Sequence, residues 1–327
     1  MSAPLNQTQA GAGREESRTG EVLHDQQRTL ADAAGRRWND KRWSLALSLL
    51  LVAPLVLLML FTIGFPLLNT VLLSFQNQGT IGTPSEYVGT ATYRRVWANE
   101  DFWASLRRSG VWLFGNIFLQ TILAFTTALL LQRAGRWARS ARIWVLLPWI
   151  IPTVAVAVIW QWLTNSSYGP VPRIFDLFGV DSVQFFADRT WAMPTLIFMN
   201  SWRWFPLGAV IIFGALQTIP KEIEEAAQVD GASSFDRFRY ITLPLLQPVL
   251  FALGLVGALW AFNIVDSIYL VTQGGPANAS ETAPVFIYNV AFGAFRASQA
   301  AAASVTTIVL LAILTWLFIR FAKPEDL

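Results

Sequence analysis

Between two long apolar stretches of this chain lies the polar run Ile219-Pro220-Lys221-Glu222-Ile223-Glu224-Glu225-Ala226-Ala227-Gln228-Val229-Asp230-Gly231-Ala232-Ser233-Ser234-Phe235-Asp236-Arg237-Phe238-Arg239-Tyr240-Ile241-Thr242-Leu243-Pro244. Pro220 suits a first helical turn, where its missing N–H costs nothing, and Glu222, Glu224 and Glu225 follow near the positive end of the helix dipole. Gly231 can take the left-handed conformation that stops a helix. Ser233 with Asp236 three residues on has the pattern of a capping box for a second helix, whose Phe235, Phe238 and Ile241 recur at helical spacing. Pro244 then marks the turn into the next apolar stretch. The run therefore predicts two short helices with a sharp bend, the first presenting Ala226, Ala227 and Ala232 beside carboxylates. Such a face lets the groove of another protein approach the backbone, and its acids can pair with that protein's Arg or Lys. The competing reading is an amphipathic helix lying on the bilayer, but there basic residues would be expected, and this segment is net acidic.

The surroundings of this run are membrane-like. The 327 residues have a mean hydropathy of +0.43, with 54% apolar and 14% charged side chains, where a soluble domain carries about 25% charge. About 20 residues at 1.5 Å rise cross a hydrocarbon core of about 30 Å. Uncharged windows of that size run from Ser44 to Phe75, Ser109 to Gln132, Ile143 to Leu163, Tyr240 to Val265 and Ala297 to Ile319. A sixth, Trp191 to Ile219, is long enough only if Arg203 is accepted inside it. The expectation is an all-α integral membrane protein of six transmembrane helices.

Lys/Arg bias orients the spans. Arg36, Arg37, Lys41 and Arg42 precede the first, and Arg133, Arg136, Arg139 and Arg142 fill the short loop between the second and third without one acid. Both place the N-terminus in the cytosol, with 218–242 inside and 76–105, 164–190 and 270–296 outside. Arg94, Arg95, Arg107 and Arg108 run against the rule, partly balanced by Glu86, Glu100 and Asp101. Residues 1–43 are too polar to bury a core and are predicted to be a disordered cytosolic tail. The apolar run after them is too long for a signal-peptide core and is expected to stay as an anchor. Trp38, Trp43, Trp103, Trp144, Trp162, Trp191 and Trp316 fall near span ends, where an indole sits at the headgroup level.

The inventory excludes much chemistry. There is no cysteine, and His24 in the tail is the only histidine, which removes disulfides, thiolate metal sites and histidine catalysis in the apolar body. No metal site is expected. A net charge of +3, scattered around span flanks, offers no basic patch for nucleic acid. There is no G-x-x-x-x-G-K-[ST] run to bind nucleotide.

The motifs Glu225-Ala226-Ala227, Asp230-Gly231-Ala232, and Ile241 with Leu243-Pro244, with nine residues between Gly231 and Ile241, resemble the EAA loop of permease subunits of binding-protein-dependent ABC importers. Ala215-Leu216-Gln217-Thr218-Ile219-Pro220 before the loop, and Phe262 through Tyr269 with Gly274-Gly275-Pro276 after it, are similar to the carbohydrate-uptake, MalF-like branch. The resemblance covers roughly residues 44–322. It departs from the maltose permease itself in having six spans and no large outer domain. It implies a type I (MetI-like) permease domain over 44–322, with 218–244 as a cytosolic coupling loop and 323–327 as a cytosolic tail, in a bacterial or archaeal cell (inner) membrane. It implies Glu224, Glu225, Ala226, Ala227, Asp230, Gly231 and Ala232 as the ATPase-coupling residues. It further implies a second permease subunit, an ATPase dimer and an extracytoplasmic sugar-binding protein as partners. The chain then has no cofactor and no catalytic residue of its own, because ATP and Mg are held by the partner ATPase.

Polar side chains within spans tend to face the bundle interior. Asn116 and Gln120 lie four apart on the second span, Asn200 and Arg203 three apart on the fourth, and Asn263 and Asp266 three apart on the fifth, so that each pair is expected on one helix face. A sugar needs amides or carboxylates for its hydroxyls and an aromatic plate, a part that Trp202, Trp260 and Tyr269 can play. The alternative for each polar residue is an interhelical hydrogen bond, worth about 0.6 kcal/mol. Arg203 could also snorkel or pair with Asp266. That pair would be the coupling site of a rival, a stand-alone ion-driven transporter. A glycerol phosphate permease and a membrane-embedded hydrolase are further alternatives, the last without a convincing Ser/Lys or carboxylate pair. Pro148 and Pro152 in the third span and Pro194 and Pro206 in the fourth are candidate kinks.

Overall fold

The computed structural model describes residues 47–78, 84–180 and 183–322. The predicted tails at 1–43 and 323–327, with Trp38 and Trp43, lie outside them. The chain divides into two units at Asn69/Thr70. The described part of the first is helix α1, Leu47–Ser74, whose last turn enters the second; its leucines and valines are mostly exposed, as suits a lipid-facing surface.

In the second unit a two-residue antiparallel pair, Gln76–Asn77 with Glu86–Tyr87, precedes the short helix α2, Ala91–Trp97. Helix α3, Glu100–Arg133, begins where Asn99 accepts the backbone N–H of Asp101 at 2.9 Å, with acids in its first turn and Arg133 in its last. Each charge sits at the helix end whose dipole favours it. Helix α7, Ala192–Leu216, carries buried residues along its whole length and is the core of the unit. It approaches α3 closely because the residues at the contact are small. A Cβ on Gly208 would come within 3.2 Å of the Ala124 Cβ, the kind of contact that replaces hydrophobic driving force inside a bilayer.

Three buried clusters arrange the other elements around this pair. Ala124, Ala128 and Leu131 pack on Ala209, Ile212, Phe213 and Leu216 and on Leu246, with Ala134, Ala141 and Ile219 at the edge. This puts the 133–142 loop at the same end as the polar run. Trp112, Val156, Leu196, Met199, Ile268 and Val285 form the middle cluster. At the far end Tyr93, Val96 and Phe102 meet Phe286, Ala302 and Ala303 of the last helices, α11 (Ala283–Gly293) and α12 (Ala297–Ala322).

Two windows differ from expectation. The third is not one rod: α4, Ala138–Ile150, and α5, Thr153–Leu163, meet at 90°. Ile151 and Pro152 are extended at the corner, since proline lacks the N–H and restricts the residue before it. Pro148 and Pro206, by contrast, sit inside helices. Five described helices are therefore long and apolar enough to span, and six if the bent pair counts as one. In the fifth window no turn occurs at Pro244. Helix α9 runs from Ser234 to Phe262 without a break, passing through a π-helical stretch at Phe238–Thr242. Pro244 falls where its missing donor follows that wide turn. Between them, α6 (Pro170–Asp176), α8 (Lys221–Val229) and α10 (Asp266–Thr272) are short connectors.

Candidate functional site

The polar run forms an elbow. α8 starts after Pro220 with Glu222 and Glu224 in its first turn, and it ends in a complete Schellman arrangement. The Ala232 N–H donates to Ala227 O (2.9 Å), the Gly231 N–H donates to Gln228 O (3.2 Å), and Gly231 has φ +81°. Nothing lies within 4 Å of a Cβ built on Gly231, so the backbone angle alone demands glycine there. The capping box at the start of α9 is also present, Ser233 and Asp236 each bonding the other's backbone N–H. No residue of α8 is buried. Glu225, Ala226, Asp230 and Gly231 are exposed, and Glu224, Ala227 and Ala232 half-buried. Val229 is 87% exposed and Phe235 66%. Phe238, edge-on to Phe125 of α3 at 5.4 Å, ties the elbow to the bundle, as Ile219 does at its start.

Within the bundle, Asn116, Gln120 and Asn200 come together. Asn116 is fully buried, its Nδ2 donating to Trp112 O at 2.8 Å. Its Oδ1 accepts from Asn200 Nδ2 (2.6 Å), Gln120 Nε2 (3.1 Å) and Ser201 Oγ (3.3 Å). This knot ties α3 to α7, the interhelical arrangement weighed above. Asn200 Oδ1 nevertheless remains buried without a partner, as do Arg203 Nε and Trp204 Nε1. These three atoms occupy the middle turns of α7, where the cost of an unpaired buried polar group is about 1–3 kcal/mol each. The Arg203 guanidinium lies 5.3 Å from the Trp204 ring centre, and that ring meets Trp260 of α9 at 5.7 Å. Trp260 is 54% exposed.

Other candidates are placed differently. Trp202 is half-buried and turns toward α5, edge-on to Trp160 at 5.9 Å. Tyr269 packs edge-on to Tyr288 at 4.6 Å. Asn263 and Asp266 do not share a helix face. α9 ends at Phe262, Asn263 caps it with Nδ2 donating to Leu259 O (2.8 Å), and Asp266 opens the separate α10. The side-chain bond back to the preceding turn competes with helix continuation, which spacing alone does not reveal. Asp266 is exposed, and no ion pair joins it to Arg203 among the described residues.

Residue spacing did not single out Trp204, or a buried cluster at the far end. There Glu281, 5% exposed, accepts from Asn289 Nδ2 at 2.9 Å and lies 3.7 Å from an Arg108 guanidinium nitrogen. Arg108 Nε also donates to Glu281 O at 2.8 Å. Burial pushes the Glu281 carboxyl above the ordinary carboxylate range, against the opposing pull of Asn289 and Arg108. The preceding turn has positive φ at Gln273, Gly274, Ala277 and Asn278. The signal for this cluster was Arg108 itself, a basic residue at the end where the charge rule wants none.

Comparison with known proteins bears on this arrangement. The family model of the binding-protein-dependent transport system inner membrane component matches residues 120–323. The trehalose/maltose transport system permease protein MalF of Thermococcus litoralis is 31% identical over 277 residues, 85% of this chain and 94% of that one. The diacetylchitobiose uptake system permease protein DasB of Streptomyces coelicolor is 32% identical over 289 residues, 85% and 87% of the two chains. A chain in the crystal structure of a bacterial ABC transporter involved in the import of the acidic polysaccharide alginate has the same fold, with a TM-score of 0.76 at 20% identity over 88% of this chain and 98% of that one. With several apolar spans in the type I importer arrangement and a family model covering most of its length, this multi-pass membrane protein belongs to the family of inner membrane components of binding-protein-dependent transport systems.

Proposed function

We propose that this chain is one of two permease subunits of an ATP-driven importer, forming half of the pathway for a sugar delivered by an extracytoplasmic binding protein. The elbow carries the reading. A helix that is stopped and capped by its own backbone, with no residue buried and with Val229 and Phe235 bare, is built to be covered by something else. The partner is an ATPase whose groove receives Ala226, Ala227 and Ala232 and whose basic residues pair with Glu224, Glu225 and Asp230. ATP and Mg are bound there. ATP-driven closure of two ATPase copies moves the elbow, and the spans shift between inward- and outward-facing populations. The sugar class is supported by the names of the relatives, transporters of trehalose, maltose and diacetylchitobiose.

For the pathway, the unpaired Asn200 Oδ1, Arg203 Nε and Trp204 Nε1 offer one acceptor and two donors to hydroxyls, and Trp260 offers a plate for the C–H face of a ring. Asn116 and Gln120 hold Asn200 in place. Asn263, Asp266, Trp202 and Tyr269 stand further from this group in role: a cap, an exposed helix start and two packed rings.

The test is Glu225→Lys in the assembled transporter. Losing one partner of a desolvated charge pair costs about 2–5 kcal/mol, so uptake and sugar-stimulated ATP hydrolysis should fall more than about tenfold while the chain stays inserted. Wild-type uptake by an inserted Glu225→Lys protein would remove the elbow from the mechanism.

A further inference from the structure

We propose that the turn joining α3 to α4, at the elbow end of the bundle, binds the headgroup of an anionic phospholipid through Arg133 and Arg139. The turn is tight: α3 ends at Arg133, Gly135 takes φ +52°, and α4 begins at Ala138. Ala134 and Ala141 pack at the edge of the cluster that also takes Ile219, where the elbow starts. Residues 133–142 hold four arginines and no acid. Arg142 is used by the bundle, its guanidinium 5.1 Å from the Phe213 ring centre. Arg133 and Arg139 are exposed, and no ion pair joins either to a carboxylate among the described residues.

The far-end segment 91–108 also carries four arginines, and it treats them in the opposite way. Arg95 Nη1 donates to Asn77 Oδ1 at 3.0 Å, Arg108 lies against Glu281, and Glu100 and Asp101 add negative charge in the first turn of α3. No such compensation meets Arg133 and Arg139. Nor does Arg139 serve its own helix, for it is the second residue of α4, at the end where the dipole disfavours a cation. Cations gathered in one short turn and left uncompensated by the chain raise a positive potential that draws an anion from outside it.

Position along α4 selects the kind of anion. Ile143 and Trp144 are 64% and 72% exposed, one turn beyond Arg139, and Trp137 just before the helix is 65% exposed. Four residues of helix are about 6 Å, so Arg139 stands that far from the start of an apolar surface suited to lipid, with indoles on either side as at a bilayer interface. That is headgroup depth, and it calls for a phosphate carried on acyl chains. On the importer reading the other neighbour at this end is the ATPase, whose groove has to be basic to receive Glu224, Glu225 and Asp230 and therefore repels arginine. Phosphatidylglycerol supplies the opposite charge at the right depth, at about fivefold in affinity for each arginine near the surface.

The experiment uses the full chain, purified with its co-expressed subunits and placed in phosphatidylcholine nanodiscs. A trace of phosphatidylglycerol or of phosphatidylcholine carries a diazirine on the acyl chain close to the ester, so that the two probes differ only in headgroup. After photolysis at low salt, peptides covering 134–150 should prefer the phosphatidylglycerol probe about 25-fold, fivefold for each of two arginines, while peptides covering 91–108 should show little preference. Arg133→Gln and Arg139→Gln should each cut the preference about fivefold, and Arg139→Lys, which keeps the charge, should retain most of it. Salt at 1 M, where screening acts within about 3 Å, should weaken it in the wild type, and millimolar glycerol phosphate should leave it intact. Equal labelling by the two probes, an equal preference at 91–108, a preference that survives the double glutamine variant, or its removal by glycerol phosphate would each overturn the assignment. So would labelling of 134–150 that emerges only once the ATPase is stripped away, which would give the turn to that partner. The salt and glycerol phosphate arms use the wild-type protein and stand even if a variant fails to assemble. Transport is not the readout, so failure here is distinct from failure of the importer reading.

Discussion

The elbow at 219–244 and the far-end loop at 273–296 are both non-spanning segments of one chain, yet they are finished differently. In the far-end loop several polar groups are turned inward and tied, while Thr282 Oγ1 is buried without a partner. Glu281 is buried between Arg108 and Asn289, Ser280 Oγ donates to Gly275 O at 2.6 Å, and the Ala283 N–H donates to Ser109 Oγ at 2.8 Å. The elbow fixes its own backbone through the Gly231 turn and the Ser233–Asp236 box, touches the bundle through Phe238, and leaves the side chains of α8 unburied. One segment meets its buried side chains within the chain; the other leaves most of its own exposed, as the proposed docking requires.

Substitutions should expose this contrast. The largest effect on folding is expected at Arg108. Arg108→Ala strands the buried Glu281 carboxylate, and losing one member of a buried pair costs about 3 kcal/mol or more. Thermal melting of the purified protein should fall well below wild type, whereas Glu281→Gln, which keeps an acceptor for Asn289, should lose less. pH sharpens the same point. A carboxyl whose folded-state pKa lies above its unfolded value makes the folded state bind more protons. Its contribution is therefore fully present in acid and is lost as pH rises through the raised value. Melting of wild type measured against Glu281→Gln should show that decline above the ordinary carboxylate range, and a flat difference would mean that the group titrates normally.

Gly231→Leu comes next. A leucine at φ +81° costs about 1–2 kcal/mol, small against the fold, and the site is exposed. Insertion and melting should stay near wild type while uptake is lost. If melting collapses instead, the elbow is structural and the contrast with the far-end loop disappears. The smallest effect is expected from Ser233→Ala, which removes one helix cap worth about 1 kcal/mol. Uptake should fall partially, and Ser233→Asp should restore it.

How much of this could be read from residues alone varies with the physics involved. The elbow was legible because its signals are local: a proline, a glycine and a Ser–Asp pair at fixed offsets dictate backbone geometry within one turn. Helix content and span number were legible because hydrocarbon thickness sets a minimum apolar length. The break at Ile151–Pro152 was half-legible, since proline flags a weak point without giving the 90° angle. The end of α9 at Phe262 was not, because Asn263 reads equally as a pathway amide and as a cap. Long-range pairs were least legible. Arg108 and Glu281 stand 173 residues apart, and only the fold reveals that the misplaced cation has a carboxylate waiting. Asn116 and Asn200 were both marked as polar residues in spans, but their bond to each other follows from which faces of α3 and α7 meet.

The unbroken course of α9 from Ser234 to Phe262 makes the second limb of the elbow and a membrane span a single rod about 43 Å long. A tilt of about 10° imposed at its Ser234 end displaces the opposite tip by roughly 7 Å. Trp260 rides near that tip, so in the proposed importer leverage would amplify a small push on the elbow into a large movement of an aromatic side chain at the other end of the rod.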